Sequence, residues 1–403
     1  MMSNIPKLRF PEFKGEWEKS ELGKFTLEIT RVNPNSDAPI MMISAANGFI
    51  LQSNKYSKEM TGQSLKKYIE LHAGEFAYNH GASKLKKYGA CFCLDLDKAR
   101  IPFVYHCFKL TEGNTKFFSY LLNRTQLDSE LARYISSSAR MDGLLNISYT
   151  DYMKINISVP TLAEQQKIAD FLSNVDSIIT AETKILNTLQ KKKKALMQKL
   201  FTQQLRFKSD DGTDFPAWEE KKLGDVCDII GGGTPDTNKA EYWNGNIQWF
   251  TPTEIENTKY ISESKRKITQ LGFEKSSAKL LPVGTILFTS RATLGEMSIT
   301  TVECTTNQGF QSLIPNKNFV HPDYLYYLQP ILQKYCYSKA SGSTFLEISA
   351  KSLKECHIPL PCKAEQQKIT DCLSSMDSLI QTQQKVVTTW QQRKKALLQQ
   401  MFI

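Results

Sequence analysis

No apolar run in the chain approaches the ~18–20 residues that a membrane-spanning helix needs, and Met1 to Phe10 hold no apolar stretch ahead of a small-residue cleavage site. A membrane span and a secretory signal are therefore not expected. The nine cysteines are scattered, with no CxxC pair; Cys91 and Cys93 stand closest, with one residue between them, which does not suit a zinc knuckle. Dispersed thiols fit a reducing, cytoplasmic setting. His72, His80, His106, His321 and His357 form no HxxH or HExxH pair, so no metal site is expected. There is no GxxxxGK(S/T) nucleotide loop, no GxGxxG, and no Asp/Asn-Pro-Pro-Tyr/Phe of an adenine-N6 methyltransferase. Asp214, Glu219 and Lys221 loosely resemble a nuclease carboxylate–lysine cluster, but the matching stretch, Glu18 to Ser20, lacks the lysine. The chain itself is thus expected to carry no catalytic residue, no metal and no cofactor.

What the chain has is a globular composition over 403 residues, 41% hydrophobic and 23% charged, with net charge +10. A basic excess is compatible with a nucleic-acid partner and does not establish one. The decisive feature is an internal repeat. Residues 156–201 and 357–402 align without gaps at an offset of 201: Pro160 with Pro361, Ala163 to Ile168 with Ala364 to Ile369, Asp176 with Asp377, Lys193 to Leu196 with Lys394 to Leu397. Trp17, Leu22 and Gly23 match Trp218, Leu223 and Gly224 at the same offset, and Leu8-Arg-Phe10 has a looser echo in Leu205-Arg-Phe207. The middles diverge, apart from fragments such as the stretch Gly74 to His80 against Gly284 to Ser290. Ends held alike around differing middles suit a protein whose ends meet a common partner and whose middles meet different targets.

Each repeated end reads as one long helix, since neither 161–201 nor 362–403 contains glycine or proline. Thr161 and Glu164 have capping-box spacing. Apolar residues recur with alternating three- and four-residue spacing: Ile168, Leu172, Val175, Ile179, Leu186, Leu189, Leu196 and Leu200 in the first helix, and Ile369, Leu373, Met376, Ile380, Val387, Trp390, Leu397 and Met401 in the second. That is a coiled-coil seam, broken at Glu182 and Lys193 and at the equivalent Gln383 and Lys394. Two such helices in one chain most simply pack on each other. The run Lys191 to Lys194 reads either as a DNA contact or as a solvated helix face.

The middles mix short strands with loops, giving an α+β expectation. Strands are expected at 39–43, 76–78, 90–94, 103–105, 247–250, 285–289 and 310–314, and helices at 115–122 and 322–335. Polar and basic residues gather where strands end: Asn79, His80, Lys84, Lys86, Lys87 and Arg140 in the first middle, and Thr234, Ser290, Arg291, Asn307, Gln308 and Ser343 in the second. Gly231 to Pro235 reads as a flexible loop. Arginine, asparagine and glutamine can pair with base edges, while lysine and hydroxyls hold phosphates; any one of these loops can equally be a solvated turn.

The layout resembles the specificity subunit of type I restriction–modification systems over essentially the whole chain. Pro160 to Ile168 (PTLAEQQKI) resembles that family's lead into its central helix. Gly232 to Pro235, Glu241 to Gly245 (EYWNG), Ile247 to Trp249, Ser290 to Gly295 and Thr306 to Gly309 resemble one class of target recognition domain, and Ile43 to Gly48 (ISAANG) resembles another. The resemblance implies recognition domains at 1–160 and 204–360, spacer helices at 161–203 and 361–403, and a pseudo-twofold repeat whose helices pack as an antiparallel coiled coil. It implies a bipartite, asymmetric target in double-stranded DNA, no membrane contact and no catalysis by this chain. Its partners would be two methyltransferase subunits holding S-adenosylmethionine, and motor-nuclease subunits using ATP and magnesium. Two other readings stay open: service in an assembly without a separate motor, and a coiled-coil scaffold that binds no DNA.

Overall fold

Without a glycine or proline to interrupt them, the repeated ends fold as two single helices, Leu162–Phe201 and Lys363–Gln400. The structure is a computed structural model that describes residues 4–54, 63–81, 83, 85–135, 145–255, 258–291, 293–340 and 346–403. The chain divides into two compact units, Met1–Lys184 with Gln384–Ile403, and Ile185–Gln383. The division therefore cuts both long helices near their middles, where the sequence suggested whole helices as separate segments. The cause is packing: each globular core takes in the first half of one long helix and the last half of the other.

In the first unit, Ile168, Ala169 and Leu172 share a core with Trp17, Phe76, Phe117 and Tyr152, and Met401 and Phe402 enter the same core. Lys394 reaches Asp176 at 2.5 Å, so the two helix segments run antiparallel. In the second unit, Ile369 and Leu373 share a core with Leu223, Ile286, Tyr324 and Leu353, and Leu200 enters it. There Lys193 pairs with Asp377, again antiparallel. Val175, Leu186 and Val387 are buried, while Ile179, Leu189, Leu196, Met376, Ile380, Trp390 and Leu397 are half-buried. Lys193 and Lys394, which interrupt the seam in sequence, thus hold the aspartates 201 positions from each other. Among the described residues no helix is long and apolar enough to cross a membrane.

Above each helix lies the same framework. Glu18–Glu21 pairs antiparallel with Asn156–Val159, and Glu219–Lys222 with His357–Leu360. The first unit has a four-stranded sheet in the order Thr26–Glu28, His106–Leu110, Phe76–Asn79, Ala90–Cys93. The second repeats that order as Cys227–Gly231, Gln311–Pro315, Ile286–Phe288, Met297–Thr300, and adds Tyr260–Ile261 at the edge. All eight framework strands pair antiparallel. The units differ in what is appended. The first carries the antiparallel pairs Met41–Ser44 with Gly48–Leu51 and Ile69–His72 with Lys98–Ile101. The second carries a sheet of Arg266–Ile268, Trp243–Phe250 and Cys304–Thr306.

Three local expectations are corrected. Phe103 to Tyr105 form a turn closed by Tyr105 N–H donating to Pro102 O at 3.1 Å, and the strand starts only at His106. The β-prone side chains there sit on a link between strands, with Phe103 half exposed. The helix expected over 322–335 is two, Pro322–Tyr327 and Gln329–Lys339, because Pro330 has no N–H to continue the first. Thr161 accepts from Glu164 N–H at 3.4 Å, but Glu164 gives its carboxylate to Arg9 and Trp17, so the reciprocal half of the capping box is not made.

Candidate nucleic-acid interface

The repeated motif is explained first by contacts inside each unit. Glu164 is almost fully buried and accepts from Arg9 Nε and Nη2 at 2.8 and 2.7 Å and from Trp17 Nε1 at 3.3 Å. Glu365 is fully buried and accepts from Arg206 at 3.1 and 2.7 Å and from Trp218 at 2.8 Å. The next residue, Gln165 or Gln366, donates to Pro160 O or Pro361 O at 2.9 Å. Tyr120 and Tyr327 each donate to Asp176 or Asp377 at 2.7 Å. The glutamate, first glutamine and aspartate of the repeat thus lock helix to domain, so these matched residues have a role inside each unit. The matched Trp17 and Trp218 and the looser echo at Arg9 and Arg206 were the sequence signals for the clamp.

In the second unit, the three loops around Thr234, Arg291 and Gln308 that were chosen from the sequence meet at one end of the framework sheet. Ser290 N–H donates to Gly309 O at 2.9 Å, Ile348 N–H donates to Ser290 O at 3.0 Å, and Arg291 bridges Glu347 along the backbone. Gly233 N–H donates to Thr306 O at 2.8 Å, and Trp249 Nε1 donates to Gly233 O at 2.9 Å. A Cβ on Gly232 would lie 2.1 Å from Asn307 O, so this loop is packed closely and its glycine permits that backbone contact. Beneath it, Trp243 and Trp249 pack edge to face at 5.0 Å, and the Arg266 guanidinium stacks 3.5 Å from the Trp243 centroid. The EYWNG and IQW residues are the floor of the cluster, and Arg266 is spent on it.

Presented side chains differ from chosen ones. Arg291 and Asn307 are half-buried and Gln308 is exposed. Asn307 Oδ1 accepts from Gly309 N–H at 2.8 Å, and Thr234 Oγ1 donates to Gln308 Oε1 at 2.5 Å. Ser290 is fully buried and acts through its backbone. Ser343 lies outside the described residues.

In the first unit the equivalent strand end leads into Asn79 and His80. Asn79 donates to Ile43 O at 3.2 Å and accepts from Gly81 N–H at 3.0 Å. His80 is buried, its ring nitrogens 2.8 Å from Leu145 O and 2.9 Å from Val104 O, and it stacks on His106 at 5.0 Å. In this conformation it has no nitrogen left for a ligand. His106, which the sequence reading passed over, faces Ile147 O at 3.0 Å, and burial lowers its pKa from the usual value. Lys86 donates to Asn123 O at 2.5 Å, and desolvation by burial lowers its pKa. Lys87 alone of these points outward, beside exposed Leu85. Lys84 and Arg140 lie outside the described residues. Among the described residues no group of His, Cys, Asp and Glu could hold a metal, and all nine cysteines are free.

A family described as type I restriction modification DNA specificity domain matches residues 94–191 and 217–389. The chain belongs to this family. The second match takes in its unit's whole framework, the first only His106–Leu110 and Asn156–Val159, and each runs into a long helix. Among relatives, a type I restriction enzyme MjaIX specificity subunit of Methanocaldococcus jannaschii is 42% identical over 190 residues, 46% of this chain and 44% of that one. The Escherichia coli EcoR124I/EcoR124II specificity subunit is 30% identical over 248 residues, 58% of each chain. These matches span about half the length of the curated relatives. In fold, the chain resembles one from a type I restriction–modification assembly, with TM-score 0.60, 19% identity and coverage of 96% and 97%. It also resembles the S subunit from M. genitalium, with TM-score 0.54, 15% identity and 99% coverage of both chains.

Proposed function

We propose that this chain is a DNA-reading specificity subunit of a type I restriction–modification system, each unit recognising one half of a bipartite, asymmetric target. The carrying observation is that two units with the same sheet order bear different side chains on the loops at the same strand end: Asn79, Lys86 and Lys87 in one, and Arg291, Asn307 and Gln308 with Thr234 in the other. A constant frame with variable loops is what two unlike half-sites require. The net charge of +10 supports attraction to phosphate. Family membership supports the further reading that two methyltransferase subunits and, through them, motor-nuclease subunits act where this chain binds. S-adenosylmethionine, ATP and magnesium would then belong to those partners, and this chain would be non-catalytic and cytoplasmic.

Binding measured across salt tests the reading against a protein-only scaffold, since counterion release predicts a steep fall in DNA affinity as salt rises. Arg291→Ala is expected to relax one position of the second block at a cost of about 1–3 kcal/mol, read by binding to single-base variants of the target. Equal weakening on all sequences would make Arg291 a phosphate contact instead. Four residues inserted near Lys191, about 6 Å of helix, are expected to lengthen the unread gap and leave both blocks unchanged. Methylated-base sequencing reads this directly, and altered blocks would contradict a spacer role.

A further inference from the structure

Gln308 is exposed, yet its amide is not free to turn. Thr234 Oγ1 lies 2.5 Å from Gln308 Oε1. The hydroxyl donates to the amide oxygen, so that oxygen faces Thr234 and the nitrogen faces away. The two backbones are fixed against each other. Gly233 N–H donates to Thr306 O at 2.8 Å, and a Cβ on Gly232 would meet Asn307 O at 2.1 Å. Gly309 is fixed in turn, donating to Asn307 Oδ1 at 2.8 Å and leaving a Cβ only 2.6 Å from Pro252. The hydrogen bond therefore joins two side chains standing on a locked platform.

An unconstrained glutamine pairs with adenine by donating to N7 and accepting from N6 through one amide face, using nitrogen and oxygen together. With one lone pair of its oxygen engaged by Thr234, Gln308 turns its N–H groups outward. We propose that Thr234 is a specificity-determining positioning residue: by holding the amide oxygen it leaves Gln308 reading chiefly as a donor, which favours an acceptor-rich base edge, guanine O6 and N7 above all, over adenine. Adenine's N6 amino group would oppose the presented amide N–H. This rests on the proposed reading of DNA by the second unit and adds the chemistry of one base position to it.

The test is selection from a randomised duplex library by the full chain, co-purified with its methyltransferase subunit, comparing wild type with Thr234→Val, Thr234→Ser and Gln308→Ala. The expected result is a guanine at one position of one block for wild type and Thr234→Ser. Thr234→Val should lower that preference on the order of ten-fold and admit adenine, and Gln308→Ala should flatten the same position, with the other positions unchanged. A Thr234→Val motif identical to wild type, or a Gln308→Ala motif unchanged at every position, overturns the proposal. A wild-type chain that enriches no sequence overturns the proposed function beneath it, so the two failures are distinguishable.

Discussion

Replacing Arg206 by alanine is expected to destabilise the second unit by about 3 kcal/mol, the low end of the cost of removing one partner from a buried ion pair, because the guanidinium is 27% exposed while the carboxylate is buried. Glu365 is fully buried and takes two hydrogen bonds from Arg206 and one from Trp218. Without the guanidinium, a buried carboxylate keeps only the indole N–H, and its desolvation is no longer offset. Arg206→Lys should recover little, because an ammonium cannot span both carboxylate oxygens. Urea unfolding followed by tryptophan fluorescence checks this, since Trp218 sits in the clamp. A loss below about 1 kcal/mol, typical of an exposed pair, would show that the clamp is not what fastens helix to domain.

Phe402→Ala is expected to cost the first unit about 3–5 kcal/mol, through lost burial and the cavity left behind. Phe402 is 4% exposed, stacked on Phe117 at 5.3 Å and edge-on to Trp17 at 6.1 Å. The Arg124 guanidinium lies 4.8 Å from its ring and donates to Ile403 O at 3.1 Å. The equivalent Phe201 is only half-buried and meets Tyr324 edge-on at 6.0 Å, so Phe201→Ala should cost less. Thermal unfolding of both variants checks the order. If Phe201→Ala proved the more damaging, the end of the second helix would not be part of the first core.

These two residues show what the sequence could and could not reveal. The helices were legible almost to the residue, because unbroken stretches and a seam of alternating spacing leave little choice. The inward direction of the repeated motif was not legible. Glu164 has the spacing of a cap, and only the fold shows Arg9 arriving from 155 positions away to claim it. The shared sheet was hidden for a different reason. Its strands correspond at offsets that drift from 201, at Thr26 and Cys227, to 210, at Phe76 and Ile286. Loops of unequal length between them defeat an ungapped comparison, although the sheet order is the same.

The candidate interface was legible as places rather than as side chains. The loops containing Thr234, Arg291 and Gln308 were chosen separately, and the fold brings them together. His80 and Ser290 occupy the same strand end in the two units, and both are buried. A polar residue just past a strand has the same appearance in sequence whether it faces solvent or closes a loop, as His80 does through Leu145 and Val104. The glycines of GGTP were read as freedom, whereas the contact between Gly232 and Asn307 makes them a requirement for close packing.

The central claim is that two units with one frame and unlike loops read two unlike half-sites. Sequencing methylated adenines genome-wide, with this gene present and with it deleted, tests it most directly. The account predicts a motif of two different short blocks around an unread gap, present with the gene and lost without it. A continuous palindrome, or a motif that persists after deletion, would contradict it.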